Sequence, residues 1–165
     1  MKTMQAVTAL ALLAASGGCV SIEDNSPAQG PAPVREAIVP PGWEEARDVL
    51  HYSPALRSGD FVFLSGVVAG LREGEEGEAG MTAAFDRAFR ALGGVLAAAG
   101  ADWDDVVEMT TYHTDLPAQI AAFAAVKDRY IREPYPAWTA IDIDRLYPDN
   151  GVVEIKLTAR IAPDR

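Results

Sequence analysis

The order of apolar segments along the chain constrains its fold more than any other feature. Residues 60–66 form a short apolar run of aromatic and β-branched side chains, which predicts a buried strand. Residues 81–99 then carry apolar side chains at helical spacing from Phe85 to Leu96, and Gly100 follows as a stop signal. The first unit of the fold is therefore a strand followed by a long amphipathic helix.

The second half of the chain repeats this unit and adds two strands. Residues 106–114 predict a strand, and Asp115 stands where it would cap a second helix that ends before Pro134. Two further apolar runs, 138–143 and 152–161, predict two more strands.

Together with a short strand near residues 52–57, these segments predict an α+β fold. We expect a two-layer sandwich in which two helices cover one face of a mixed sheet. The other face has no helix to cover it, which favours an oligomer. A length of 165 residues and a hydrophobic content of 49% fit one such domain.

The charge balance and the cysteine count narrow the classes of function. Asp and Glu total 24 against 14 Lys and Arg, so the net charge is −10. An acidic surface repels nucleic acids and anionic lipids, so we expect neither as a partner held by charge. The one cysteine excludes a disulfide framework and a cysteine-rich zinc site, and two histidines offer little else for a metal.

Residues 1–18 have the features of a bacterial lipoprotein signal peptide. Lys2 supplies a positive charge, residues 6–15 are apolar, and small residues lead to Cys19. Ser16 occupies the position where the lipobox usually has an aliphatic residue, so ordinary secretion is the alternative. We expect lipidation of Cys19 and an exported protein, either periplasmic or lipid-anchored to a bacterial membrane.

Residues 19–42 are rich in Pro, Gly, Ser and acidic residues and show no apolar periodicity. This composition predicts a flexible tether. A single folded domain is then expected over residues 43–165.

Several motifs in the predicted domain occur in the order of a known family. The chain resembles the Rid (reactive-intermediate deaminase, YjgF-type) family over most of residues 52–161. The segments that carry the resemblance are YSPALRSGDFVFLSG (52–66), AAAGADWDDVVEMTTYHTDL (97–116), FAAVKDRYI (123–131), PAWTAI (136–141) and VEIKLTARI (153–161).

The resemblance implies a homotrimer of chorismate-mutase-like subunits with clefts between the subunits. It also implies hydrolysis of imines and enamines to keto acids and ammonia, without a metal or an organic cofactor. By the same resemblance, Tyr52 and Glu154 match the catalytic tyrosine and glutamate, and Ser65 and Gly66 match a Ser-Gly pair that lines the pocket.

Two positions depart from the family pattern inside the expected pocket. Trp138 stands where family members have an arginine that binds the substrate carboxylate, and Ala140 replaces a frequent cysteine. Side chains alternate between the two faces along a strand, so Trp138 shares a face with Ala140. On the last strand, Glu154 points to the face opposite to that of the apolar Val153. The alternation favours a single cleft into which both Trp138 and Glu154 point. Thr139, next to Trp138, is a further candidate ligand-binding residue.

Each candidate also has a purely structural interpretation. Trp138 either adapts the pocket to an uncharged, aromatic or cationic ligand or fills space between subunits. Glu154 is a general acid/base or the ion-pair partner of Lys156 in a neighbouring copy. Tyr52 either donates a hydrogen bond to a ligand or only packs. His113, the one histidine in a predicted strand, either acts as a pocket acid/base or is a hydrogen-bonded core residue.

Two functions therefore follow from the sequence. The first is deamination of imine- or enamine-type small molecules in clefts between subunits, with the substrate class altered by Trp138. The second is a non-catalytic module that binds a small molecule or a protein on the same trimeric scaffold. Loss of turnover in Glu154→Ala favours the first function, and tight binding without product favours the second.

Overall fold

The computed structural model describes residues 35–161 of the chain. Within that range the helices are α1 (Glu44–Leu50), α2 (Gly77–Ala98) and α3 (Leu116–Lys127), with a 3-10 turn at Trp103–Asp105. The strands are β1 (Arg35–Ile38), β2 (Ala55–Ser58), β3 (Phe61–Leu64), β4 (Val67–Gly70), β5 (Val106–His113), β6 (Ala137–Asp142) and β7 (Gly151–Arg160).

All the strands belong to one mixed sheet in the order β1-β2-β3-β7-β5-β6, and β4 also pairs with β7. Every pairing is antiparallel except that of β5 with β6. A parallel pair needs a crossover connection, and α3 supplies it. The long strand β7 lies at the centre of the sheet and pairs with β3, β4 and β5.

One face of the sheet forms the core with α2 and α3. On β7, Val153, Ile155 and Leu157 are buried on this face, whereas Lys156 between them is exposed. Phe85 of α2 meets Phe123 of α3 edge-to-face at 5.5 Å between ring centroids. Burying each such aromatic side chain stabilises the fold by roughly 1.5–3 kcal/mol. The predicted two-layer α+β sandwich is confirmed.

Three elements are absent from the sequence prediction. Strand β1 lies inside residues 19–42, where the sequence predicts a tether, because Arg35–Ile38 pair with β2. Its residues are mostly exposed, so they show no apolar alternation. Helix α1 buries no residue, and β4 is only four residues long, so neither gives a periodic signal.

The predicted signal peptide (residues 1–18), Cys19 and the first part of the predicted tether lie outside the described residues. Among residues 35–161, no helix is both long and apolar enough to span a bilayer.

Candidate functional site

Glu154 lies on the face of β7 that the helices leave open. It stands directly opposite Val68 of β4 on one side and Tyr112 of β5 on the other. Its side chain is half-buried. The predicted alternation within β7 is therefore confirmed, with Glu154 on the face opposite to Val153.

The carboxylate of Glu154 rests over the backbone of Gly66. A Cβ atom built on Gly66 would lie only 1.8 Å from Oε1 of Glu154. Any side chain at this position would push the carboxylate away, so Gly66 is the residue that lets Glu154 occupy its place.

Hydrogen bonds from Ser65 bring the segment that follows Tyr52 next to Gly66 and Glu154. The Ser65 hydroxyl donates to the backbone oxygen of Ser53 at 2.7 Å, and the Ser65 N–H donates to the backbone oxygen of Pro54 at 2.9 Å. Ser65 therefore clamps the segment that follows Tyr52 beside the Ser65–Gly66 turn. Four of the predicted site residues, Tyr52, Ser65, Gly66 and Glu154, thus belong to one region.

Trp138 lies on the opposite face of the sheet, so within one copy of the chain Trp138 and Glu154 do not point into the same cleft. Met109 of β5 pairs with both Trp138 and Leu157, and directly opposed residues share a face. Trp138 therefore belongs to the helix-covered face. Alternation within each strand was visible in the sequence, but the register between β6 and β7, set through β5, was not.

Thr139 falls on the face of Glu154 instead. Thr139 pairs with Thr110, and Thr110 pairs with Lys156, which neighbours Glu154 on the open face. Thr139 is exposed at the edge strand. The structure thus separates the two adjacent candidates, Trp138 and Thr139, onto different faces.

The Trp138 ring is held from three sides. Its centroid lies 5.7 Å from that of Phe123, and the Lys127 ammonium lies 5.5 Å from it. Its indole N–H donates to the Thr111 hydroxyl at 3.0 Å. Trp138 as a whole is 37% exposed, and it borders a cavity of about 410 Å³ that Tyr135 also lines.

His113 is fully buried and lies in the core. Its Nδ1 is 3.1 Å from Oε1 of Gln119, and its Nε2 is 3.0 Å from the hydroxyl of Thr111. Removal from water lowers the pKa of His113, against a smaller opposing effect of the Gln119 hydrogen bond. The interpretation as a hydrogen-bonded core histidine fits this placement, and the interpretation as a residue that contacts a ligand does not.

The hydrogen bonds around His113 run in one direction. The indole of Trp138 only donates, so Thr111 accepts from it, and with the single ring proton of neutral His113 on Nδ1 the Thr111 hydroxyl donates to Nε2. Nδ1–H of His113 then donates to Gln119, whose amide donates to the hydroxyl of Thr114 at 3.1 Å. Neutral His113, protonated at Nδ1, satisfies every partner and fixes the orientation of Trp138.

Lys127 and Tyr135 were missed by sequence reasoning although they line the Trp138 cavity. Phe123 and Lys127 are four residues apart on α3, so both side chains reach Trp138 from one helix face. That face could be assigned only after the helix was placed against β6. Within residues 35–161, no group of three or more His, Cys, Asp or Glu side chains is arranged to hold a metal ion.

Comparison with known proteins defines the family. The sequence model of the family described as Endoribonuclease L-PSP matches residues 44–161. The chain is 38% identical to the RutC family protein YjgH of Escherichia coli over 128 residues, covering 77% of this chain and 95% of that protein. It is 30% identical to the chloroplastic Reactive Intermediate Deaminase A of Arabidopsis thaliana over 111 residues, covering 67% of this chain and 58% of that protein.

A solved structure of protein YjgH superposes with a TM-score of 0.67 at 37% identity, covering 79% of this chain and 98% of that chain. The α+β fold with this mixed sheet is the fold of solved structures of the YjgF/RidA (Rid) family. The chain belongs to this family, as its sequence resemblance predicted.

Proposed function

We propose that the protein hydrolyses imines or enamines of small molecules to carbonyl compounds and ammonia. The observation that carries the proposal is the position of the Glu154 carboxylate, which lies over Gly66 next to the hydrogen bond between Ser65 and Ser53. A relative at 30% identity is named a reactive intermediate deaminase, which supports the same chemistry.

In the proposed reaction Glu154 accepts a proton from a water molecule whose oxygen bonds to the imine carbon. The electron pair of the C=N double bond moves to nitrogen, which takes the proton back from Glu154 and so gives a carbinolamine. Glu154 then takes the proton of the carbinolamine hydroxyl and passes it to the nitrogen, and ammonia leaves as the C–O bond becomes a C=O double bond. One water is consumed for each ammonia released, and Tyr52 is proposed to hydrogen-bond the reacting nitrogen or oxygen.

The proposed site is completed by a second copy of the chain. Trp138 and Glu154 lie on opposite faces of one sheet, so one subunit alone cannot present both to the same substrate. The open face also exposes Phe61 and Phe63, 41% and 45% accessible, as an oligomer interface would require. We propose a homotrimer in which the open face of one copy meets the Trp138 edge of the next.

Ammonia release from imines tests the proposed activity. Amino-acid substrates treated with an amino-acid oxidase supply α-carboxylated imines, and non-carboxylated imines form from simple amines and aldehydes. Glu154→Gln should lower turnover about 100-fold or more, as expected when a general acid/base is lost. Glu45→Gln, on the surface of α1, should leave turnover unchanged and is the matched control.

Equal turnover by Glu154→Gln and the parent protein would overturn the proposed role of Glu154. Binding of a ligand in the cleft without any product would favour the non-catalytic binding module. RNA cleavage is not proposed, because a net charge of −10 opposes binding of a phosphate backbone.

The N-terminal sequence also supports an exported, lipid-anchored location as a proposal. Incorporation of labelled palmitate into the full chain tests it, with Cys19→Ala as the control. Equal labelling of the two proteins would contradict lipidation at Cys19, and absence of label from a processed chain would indicate ordinary secretion.

A further inference from the structure

The cavity beside Trp138 is lined mainly by apolar and aromatic side chains. Its volume of about 410 Å³ lies within the usual range for small-molecule pockets, roughly 300–1,000 Å³. Met109, Ile131 and Pro136 supply aliphatic surface, and Tyr135 and Trp138 supply ring surface. Both rings are partly exposed to solvent, so a small molecule in the cavity can contact them.

The charges at this cavity are paired with each other. Among the described residues that line it, Lys127 and Asp128 carry a charge, and Nζ of Lys127 donates to Oδ1 of Asp128 at 2.5 Å. Opposite charges this close largely cancel each other's field at the distance of a ligand. A charged ligand would therefore lose its water of hydration without meeting a net opposite charge, which is costly.

The aromatic rings do not favour a cationic ligand either. Ring faces attract cations, but the ammonium of Lys127 already lies 5.5 Å from the centroid of Trp138 and 5.7 Å from that of Tyr135. Only 12% of the Lys127 side chain is exposed, so this cation is held beside the rings. A second cation in the same place would be repelled by the first.

Trp138 offers ring surface to a ligand and no hydrogen bond. An indole has one N–H donor, and that of Trp138 is bonded to the hydroxyl of Thr111 at 3.0 Å. A flat apolar group that packs on the indole needs no such donor, and it gains by leaving water.

We infer that the Trp138 cavity binds an uncharged aromatic or apolar group. The inference rests on the proposed function and deepens it by naming the substrate class. The substrates are imines or enamines of uncharged aromatic ketones and aldehydes, rather than imines that carry a carboxylate.

Calorimetric titration of the full chain with three probes tests this inference. Phenylacetone is uncharged, phenylpyruvate is its anionic counterpart with a carboxylate, and phenethylamine is a cationic analogue. The parent protein should bind phenylacetone about 10-fold or more tightly than either charged probe, because neither charge is compensated in the cavity.

Two substitutions of Trp138 separate its ring from its hydrogen bond. Trp138→Ala should raise the Kd for phenylacetone about 10-fold, because the ring surface is lost. Trp138→Phe keeps a ring without the N–H donor and should stay within about 3-fold of the parent. If Trp138→Ala does not fold, Trp138→Leu takes its place.

Two further variants unbalance the ion pair in opposite directions. Asp128→Asn leaves the charge of Lys127 uncompensated and should lower the Kd for phenylpyruvate about 5-fold. Lys127→Met leaves the charge of Asp128 uncompensated and should lower the Kd for phenethylamine by a similar factor. Asp149→Asn is the matched control, because it unpairs Arg145 away from the residues that line the cavity, and it should change neither Kd.

Three results would overturn the inference. The first is a parent protein that binds either charged probe as tightly as phenylacetone, or that binds none of the three. The second is a phenylacetone affinity that is unchanged in Trp138→Ala. The third is a phenylpyruvate affinity that is equal in Asp128→Asn and the parent, since the pair would then not set the charge preference.

The proposed function fails separately. If phenylacetone binds through Trp138 but no imine releases ammonia, the proposed activity is lost and the ligand class remains. If turnover depends on Glu154 but is fastest with carboxylated imines, the activity remains and the inference is overturned.

Discussion

The two faces of the sheet hold their candidate functional groups by different means. On the open face, the backbone sets the position of Glu154. Gly66 has no side chain to displace the carboxylate, and the Ser65 hydroxyl holds the adjacent turn by its hydrogen bond to Ser53. On the helix-covered face, Trp138 is placed by side chains, through Thr111 and α3.

The two arrangements differ in how easily substitution can change them. The position of Glu154 depends on a glycine and a turn, and few other residues can replace a glycine where there is no room for a side chain. The position of Trp138 depends on ring packing against Phe123 and on one side-chain hydrogen bond to Thr111, which other residue pairs can replace. The position of Glu154 is thus fixed by the backbone, whereas the position of Trp138 is fixed by side chains that substitution can change.

The largest expected effect comes from filling the space under Glu154. Gly66→Ala should lower imine turnover about 100-fold, because the new Cβ displaces the Glu154 carboxylate that is proposed to activate water. The fold should survive, since the clash is with the end of a flexible side chain. Parallel ammonia-release assays and thermal unfolding measure both quantities.

A turnover in Gly66→Ala equal to that of the parent would break the claim that the backbone places Glu154. If Gly66→Ala loses both its activity and its folded state, unfolding alone explains the lost activity. The turnover of Glu154→Gln then tests whether the carboxylate is needed.

The side-chain network of the other face should respond through stability. Thr111→Val removes the hydroxyl that joins Trp138 to His113 and leaves a buried ring nitrogen of His113 without its partner. We expect the free energy of unfolding to fall by about 1–3 kcal/mol. Thr110→Val, on the open face, is the matched control, and urea denaturation measures both proteins. A loss no larger in Thr111→Val than in the control would show that the network contributes nothing.

The neutral state of His113 gives a smaller, pH-dependent effect. Its pKa is lowered in the folded protein, so above about pH 6.5 both folded and unfolded chains carry the neutral ring. As the pH falls below 6.5, only the unfolded chain takes up the proton at first, and stability falls by at most about 1.4 kcal/mol per pH unit.

NMR titration of the imidazole protons measures this pKa directly. The chain has two histidines, and His51→Gln assigns the remaining signal to His113. A pKa of His113 above 6.5 would contradict the buried neutral ring.

The smallest expected effect is at Gly94, the control for Gly66→Ala. Gly94 lies in α2 with no atom within 4 Å of a built Cβ. Gly94→Ala should raise the free energy of unfolding by about 0.5–1 kcal/mol and leave turnover unchanged, because alanine favours helix. A loss of turnover in this variant would remove the contrast with Gly66.

Much of the fold could be predicted from the sequence because the long elements have strong apolar periods. Phe85 to Leu96 mark one face of α2, and Asp115 caps α3 by accepting from the N–H of Ala118. The site was predicted in part. Tyr52, Ser65, Gly66 and Glu154 fall together, since they lie in or beside neighbouring strands.

The rest required tertiary structure. Whether Trp138 shares a face with Glu154 depends on the register of β6, β5 and β7, which the sequence of β6 does not indicate. The proximity of Lys127 to Trp138 depends on how α3 packs on the sheet. Short elements such as α1 and β1 bury too little to leave a pattern.

The central claim is that Glu154 of one copy and Trp138 of another form one site. The most direct test mixes Glu154→Gln chains with Trp138→Ala chains, unfolds them together in urea and refolds them into mixed oligomers. If the site lies between copies, an equal mixture should recover about one quarter of the parent's imine turnover, because that share of interfaces joins two intact halves. Turnover no higher than the sum of the separate variants, or full activity of Trp138→Ala alone, would contradict the claim.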